Sequence, residues 1–418
     1  MTLIAIHLLQ NHAPSNLNRD DNGDPKDCLF GGVRRARISS QSIKRSIRRS
    51  EHFIGYFSDD ELSGNRSKIA THIGKYLENS HWKEELSQDE VQIILRQATK
   101  LAKAKKEDDS AGEADIASDQ PSSAEDTSKA DESNENASKD VAAKTDSQED
   151  SSKAQLVFLT RKEVEAVAER LIEMRDQSFP RKTKVKGKTV DTAIAFQDLD
   201  ADELRQNIGE YEPHSVDIAM FGRMTTSSPF KDVEAAVQVA HAISTHEIEE
   251  EFDFFTAVDD LAKSKGAGLL GETAFNSATY YKYLNVHWES LVANLAGDTA
   301  LARRAVEALI KAAMIAIPSG KQNGFAANNL PDVALIEVQA KNVPLSYANA
   351  FVKPVRRSAQ QSLLEASVAA LQDYLPRINS MYGLEPNRAF VSTVPFQLAE
   401  AESCDSLDEL LAWLPLES

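Results

Sequence analysis

Two hydrophobic rhythms divide this chain: a period near two predicts strands, and a period near 3.6 predicts amphipathic helices. Residues 2–9 (TLIAIHLL) alternate weakly and open the chain as a strand. Strands are also expected at 215–224 (SVDIAMFGRM), at 273–286, where Phe275, Thr279, Tyr281 and Tyr283 would share one face, and at 333–339. Residues 248–255, acidic and aromatic, read as one arm of an extended hairpin with a flexible tip at 263–271. Helical spacing marks a segment capped by Ser39 or Ser40 and running to about Ser50. It recurs within 56–104, strongest over 89–104, and over 156–174 through Val164, Val167, Ala168, Leu171 and Ile172. Further helices are expected from near Lys231, over 298–317 up to Pro318, over 358–374 and over 406–413. Between 105 and 153 neither rhythm exists. That Ser/Asp/Glu/Ala/Lys-rich stretch cannot bury enough apolar surface to offset its ordering entropy and reads as a disordered insertion.

The resulting order suits an α+β fold with a largely antiparallel sheet, of which an RRM-like (ferredoxin-like) β-α-β-β-α-β core is one version. No RNP1 signature of an ordinary RRM is present, so base-stacking recognition on the sheet is not expected. The pattern divides the chain at about 1–55, 56–200 (a helical insertion) and 201–418. No segment reads as a secretory leader or a membrane span. A soluble, cytoplasmic protein without membrane contact is the expectation.

Charge changes this picture. The 418 residues carry a formal net charge of −18, which argues against a polyanionic partner. Yet residues 107–150 hold fifteen Asp/Glu and three Lys, a net of −12, which leaves −6 for the remainder (−18 + 12). Residues 33–49, by contrast, contain seven Lys/Arg and no acid. Such a one-signed patch on a structured segment more often meets a polyanion than solvent alone. On the helix after Ser39, Lys44, Arg45, Arg48 and Arg49 fall on one broad face, with Ile43 and Ile47 roughly opposite. Gly31 and Gly32 permit close backbone approach to something. A second short basic stretch, 181–189 (RKTKVKGKT), reads either as a nucleic-acid contact or as an exposed hairpin tip.

Candidate chemistry is sparse. Cys28 and Cys404 are far apart and give neither a disulfide framework nor a zinc site. His241 and His246 lack a third ligand nearby, so helix-end packing is the plainer reading. Asp20 and Asp21 sit in a polar, turn-forming loop beside basic residues. Tyr281 and Tyr283 are expected in the core.

Six blocks together are similar to one family. HLLQNHAPSNLNRDD, FGGVRRARISSQSIKRSIR, SVDIAMFGRMTTS, VAHAISTHEIEEEFDFFTAVDDL, SGKQNGFAANN and VPLSYANAF resemble, in order and spacing, the CasC family, backbone subunits of the type I-E CRISPR Cascade complex. The resemblance covers nearly all of the chain outside about 56–200. It implies a right-hand-shaped subunit with an RRM-like palm, helical fingers over 56–200 and a β-hairpin thumb at about 246–271. Copies would polymerise head to tail along the crRNA. The guide would be presented for pairing with target DNA, beside other Cascade subunits and without a cofactor.

RNA contacts implied by the resemblance are Asn16, Asn18, Arg19, Lys26, Arg34, Arg35, Arg37, Gln41, Lys44, Arg45, Arg48 and Arg49. Met224 and Thr225 are added in the GRMTTS block, with Met224 as an apolar wedge, and Lys321, Gln322 and Phe325 in the Gly/Asn-rich loop. Phe325 would either stack on a base or anchor the loop. Val33 departs from the basic residue expected there. A scaffold that must grip any guide sequence should contact phosphates and 2′-OH groups and leave base edges free, which these residue types suit. A subunit that cuts target RNA with metal help from Asp20 and Asp21 is the main rival. His12 is the sole nearby candidate for a partner base. An unrelated single-strand RNA-binding module would be expected to show a set of stacking aromatics, which is not apparent in the sequence.

Overall fold

The computed structural model describes residues 2–102, 155–185, 188–225, 229–258 and 267–416. The whole of the expected disordered insertion, 105–153, and part of the expected hairpin tip lie outside these residues. The chain divides into two compact units. The first comprises Met1–Gly64, His214–Arg223 and Asp232–Ser418, and the second Asn65–Pro213 and Met224–Lys231. The boundaries thus fall at 64/65 and 213/214, later than the 55/56 and 200/201 expected, and residues 224–231 return to the second unit.

Strands are numbered in chain order: β1 Leu3–Ser15, β2 Asp27–Phe30, β3 Val33–Ile38, β4 Ser178–Val185, β5 Lys188–Ala195 and β6 Val237–Val239. They continue as β7 Ala242–Ser244, β8 Glu251–Val258, β9 Ala267–His287, β10 Val333–Gln339, β11 Asn387–Ser392 and β12 Ala401–Ser403. In the first unit the sheet order is β12-β11-β10-β1-β9-β7-β3-β2, and β6 and β8 also pair with β9. Every pairing is antiparallel except β11 with β12. The expectation of an α+β fold with a largely antiparallel sheet is borne out.

Both faces of the sheet are covered, which is why residues 2–9 alternate so weakly. Ile4, Ile6 and Leu8 of β1 join Leu284 and Val286 of β9 in one core, with Ile43, Ile47 and the helix Thr299–Ile315. Ala5 and Leu9 point the other way, into a core with Tyr281, Tyr283, Tyr347 and Phe351 and with Leu371 and Leu375 of the helix Leu363–Tyr382. Tyr281 and Tyr283 are core residues, as expected. The second face also holds a buried polar network. Tyr347 donates its hydroxyl to the Glu337 carboxylate (2.8 Å), Arg388 Nε donates to the same group (2.5 Å), and His7 Nε2 lies 3.3 Å from it.

Two expectations fail here. Residues 216–221 form a short helix, Val216–Phe221, not a strand. A continuous apolar run of that length fits either state by periodicity, so tertiary packing decides. The helix expected from Lys231 is replaced by β6 and β7, short strands on the edge of β9. Alternate Val237 and Val239 suit that edge, and pairing overrides the helical propensity of the preceding alanines.

The second unit is mainly helical: Ile69–Asn79, Gln88–Leu101, Arg161–Met174 and Ala201–Ile208 bury Ile73, Ile94, Val167, Leu171 and Leu204 together. Three of these helices begin with reciprocal capping boxes, Ser87/Glu90, Thr160/Glu163 and Asp200/Glu203. Residues 181–185 and 188–189 of the second basic stretch lie in β4 and β5, which pair with each other, and residues 186–187 lie outside the described residues. Arg181 there is engaged by Glu203, with its Nε 2.7 Å from the carboxylate.

Candidate nucleic-acid interface

The basic helix forms where its sequence places it. Ser40–Arg49 is capped by Ser39, whose side chain accepts from the Ser42 amide, and stops at Ser50. Arg48 and Arg49 in its last turn complement the helix dipole. Ile43 and Ile47 are buried, and each contributes on the order of 1.5–3 kcal/mol of apolar burial. The helix is therefore anchored by one face, and its other face is fixed in direction.

That outward face differs from the expected one. Gln41, Arg45 and Arg49 are exposed, whereas Lys44 and Arg48 are half-buried. Arg48 pairs with Asp217, a buried carboxylate that also accepts from the Ser63 amide at 2.9 Å. Burial, and then the neighbouring Arg48 charge, push the Lys44 ammonium below its ordinary pKa. Lys44, Arg45, Arg48 and Arg49 thus do not act as one cationic face. The available cations are Arg45 and Arg49, neither of which has an ion-pair partner among the described residues.

β3 corrects the expectation further. Arg35 is fully buried and donates to the carbonyls of Phe30 (3.2 Å), Ser244 (3.1 Å), Phe351 (2.7 Å) and Val352 (3.3 Å). It holds the protein together and is not turned toward a ligand. Arg34 is exposed but paired with Asp27 and, at 3.4 Å, with Glu250. Arg37 donates to the Asp27 carbonyl (3.0 Å) and approaches His241 Nδ1 (3.4 Å). Gly31 does permit a close approach, but to the protein itself. At φ +63°, a Cβ there would lie 1.9 Å from the Val352 carbonyl oxygen.

The polar loop is organised by its own side chains. Asn16 is buried and donates to Gly23 O (3.0 Å) and Ala274 O (2.9 Å), so it braces the loop against β9. Asn18 Oδ1 accepts from the Ser39 amide (2.8 Å), which ties the loop to the start of the basic helix. Arg19 bridges to Pro25 through the backbone, and Lys26 N donates to Asn18 O (2.8 Å). The Gly/Asn-rich loop closes on the same region. A Cβ on Gly320 would lie 2.4 Å from Leu17 O, and Lys321 Nζ donates to Thr273 Oγ1 (3.2 Å). Gln322 Nε2 reaches two carbonyls of its own loop at 3.4 Å. Phe325 rests on Phe275 with ring centroids 5.6 Å apart, so it anchors the loop. The structure therefore brings together the loop 16–26, the basic helix and the loop 318–329. Met224, 84% exposed, and Thr225 belong to the second unit, where Gln155 donates to Met224 O (3.3 Å).

Of the groups that could support hydrolysis, Asp20, His12 and His246 make contacts within the protein, and Asp21 is exposed. Asp20 Oδ1 accepts from the amides of Asn22 (2.9 Å) and Asp24 (3.0 Å), closing its own turn. His12 is buried edge-on to Tyr280, and burial, with the nearby Lys282 charge, lowers its pKa to about 3. His246 Nε2 accepts from the Thr279 amide (3.2 Å), and its Nδ1 faces Glu247 O (2.8 Å). Among the described residues, no group of three or more His, Cys, Asp or Glu is placed to hold a metal. Two features escaped sequence reasoning. Lys282 is buried within β9, and burial lowers its pKa to about 8. Lys353, Arg356 and Arg357 are exposed just beyond the VPLSYANAF block, and the run KPVRR was their signal.

Comparison with known proteins agrees with this architecture. A family model described as "CT1975-like protein" matches residues 4–413. A chain from a solved "CRISPR RNA-guided surveillance complex, pre-nicking" is 28% identical, with a TM-score of 0.70, covering 98% of this chain and 99% of that one. A second, from a "CRISPR RNA-guided surveillance complex", is 23% identical with a TM-score of 0.53 over 98% of each chain, which supports the fold alone. No curated protein matches the chain. Among the described residues, no helix is long and apolar enough to cross a membrane. The resemblance to a Cascade-type CRISPR subunit is borne out, and the chain belongs to the CT1975-like protein family.

Proposed function

We propose that this chain is the guide-RNA-binding backbone subunit of a Cascade-type surveillance complex and that it is a scaffold without catalytic activity. Copies assemble head to tail along the crRNA and present it for pairing with target DNA, next to other subunits. The observation that carries this reading is the exposed stripe Gln41, Arg45 and Arg49 on a rigidly anchored helix, bordered by the loops 16–26 and 318–329. Arginines on such a helix can meet phosphates of any sequence, which is what a guide scaffold requires. The full-length similarity to a chain of an RNA-guided complex supports the same conclusion. The endonuclease alternative through Asp20 and Asp21 gains no support from the geometry, because the Asp20 carboxylate shapes its turn.

Co-purification with the products of neighbouring genes, followed by sequencing of bound RNA, tests the assignment. Repeat-derived small RNAs are expected. Their absence from an intact complex would overturn it. Incubation of the loaded complex with complementary RNA and a divalent cation should give no cleavage. Cleavage abolished by Asp20→Ala and Asp21→Ala would establish the rival.

A further inference from the structure

Residues 338–364 contain four Lys/Arg and no Asp or Glu, in a chain of net charge −18. Three of the four, Lys353, Arg356 and Arg357, are exposed on the loop that precedes the helix Leu363–Tyr382. None of the three has an ion-pair or hydrogen-bond partner for its side chain among the described residues. The loop itself is firmly held. Arg35, fully buried, donates to the Phe351 and Val352 carbonyls, Gly31 lies against Val352 O, and the Val355 amide donates to Thr245 O (3.0 Å).

A buried guanidinium without an ion-paired carboxylate is a costly way to fix a surface loop, since its desolvation is met mainly by carbonyl dipoles, with the Glu247 charge helping from a distance. The outcome is three cations on a preorganised backbone. Beside them lies an open groove of about 650 Å³, whose polar lining is Asn11, Arg357, Ser358, Gln360, Gln361 and Ser362 and whose lining also includes the apolar Ala359, Leu363 and Leu364. The Glu365 carboxylate near its end is engaged by the Ser362 amide (2.8 Å). Arginine with neutral Ser, Asn and Gln donors is the set that contacts phosphate and sugar oxygens. Phe351 and Val355 pack in the core under the helix Leu363–Tyr382, whereas the basic helix Ser40–Arg49 packs in the core on the opposite face of the sheet.

We infer that Lys353, Arg356, Arg357 and the adjoining groove form a second phosphodiester-binding site, on the other side of the sheet from the basic helix. Its ligand is the sugar–phosphate backbone of a single nucleic-acid strand, either a further part of the guide or the strand paired to it. The inference rests on the guide-binding reading.

The test compares wild type with a Lys353→Glu/Arg356→Glu/Arg357→Glu variant and with an Arg45→Glu/Arg49→Glu variant, after circular dichroism shows unchanged folding. One arm titrates single-stranded RNA against salt, and the other titrates complementary single-stranded DNA onto RNA-loaded protein. Loss of three phosphate contacts should make the log–log salt slope shallower by about 2. A change in the RNA arm assigns the site to the guide, and a change confined to the DNA arm assigns it to the paired strand. If the loop variant matches wild type in both arms while the Arg45/Arg49 variant loses RNA binding, the second site is refuted and the guide-binding reading stands. Wild type that fails to bind RNA at all refutes both.

Discussion

Arg45 and Arg48 stand three residues apart on one helix, yet they have opposite roles. Arg45 is exposed and unpaired among the described residues, whereas Arg48 neutralises the buried Asp217. Replacing Arg48 by Ala leaves that carboxylate without its counter-ion and should cost roughly 3–5 kcal/mol in urea unfolding. Arg45→Glu with Arg49→Glu should lower stability by only about 1 kcal/mol, through the reversed charge at the helix C-terminus, and lose RNA affinity. Equal stability of the Arg48→Ala protein would show that the pair is not structural. Lys282 gives a second contrast. Its folded pKa, about 8, lies below the unfolded value near 10.4, so the unfolded state binds more protons between these limits and stability rises with pH across them. At pH 7 the penalty is fully present, on the order of 3 kcal/mol. Lys282→Met should raise the unfolding free energy at pH 7, with the gain fading toward pH 10.5. A destabilised Lys282→Met protein at pH 7 would contradict this account of burial. Neither role was legible in the sequence, because helical periodicity places Arg45 and Arg48 on one broad face and cannot show that Asp217, remote in the chain, meets one of them.

At the scale of elements, legibility followed the strength of the local signal. The basic helix, with a Ser cap and two isoleucines opposite its cations, was readable nearly to the residue, as were β10 and the helix Thr299–Ile315 with its Asp298 cap. The segments 216–221 and 237–244 were misread because short apolar runs take the state that pairing with β9 and the surrounding core impose. Of the candidate site, the loops 16–26 and 318–329 lie beside the basic helix, but Asn16, Arg35 and Phe325 turn inward. Their partners, Ala274, Phe351 and Phe275, are far away in sequence. The sheet's own polar network has a pH signature. Burial works against the Glu337 carboxylate, but His7 and Arg388 outweigh it and hold its pKa below the ordinary value. Its stabilising contribution is therefore present above the unfolded carboxyl pKa, near 4.3, and is lost as pH falls through the lower folded value. Glu337→Gln should be less stable than wild type at pH 7, and the difference should shrink on acidification below about pH 4. A gap independent of pH would remove the carboxylate charge from the explanation.

For the whole molecule, net charge is a poor guide and charge distribution a good one. The stretch 107–150 supplies −12 of the −18, and the structured N-terminal segment retains an acid-free cationic run. Within that run, folding separates cations into those that build the protein, Arg35 and Arg48, and those left facing outward, Arg45 and Arg49. On the proposed head-to-tail assembly, contacts of successive copies to one strand add, so each copy needs few of its own. Stoichiometry on RNA is thus the property closest to the central claim. Native mass measurement of the chain on single-stranded RNAs of increasing length should give complexes whose copy number rises in steps with length. A single copy on every length, or no complex at physiological salt, would contradict the account.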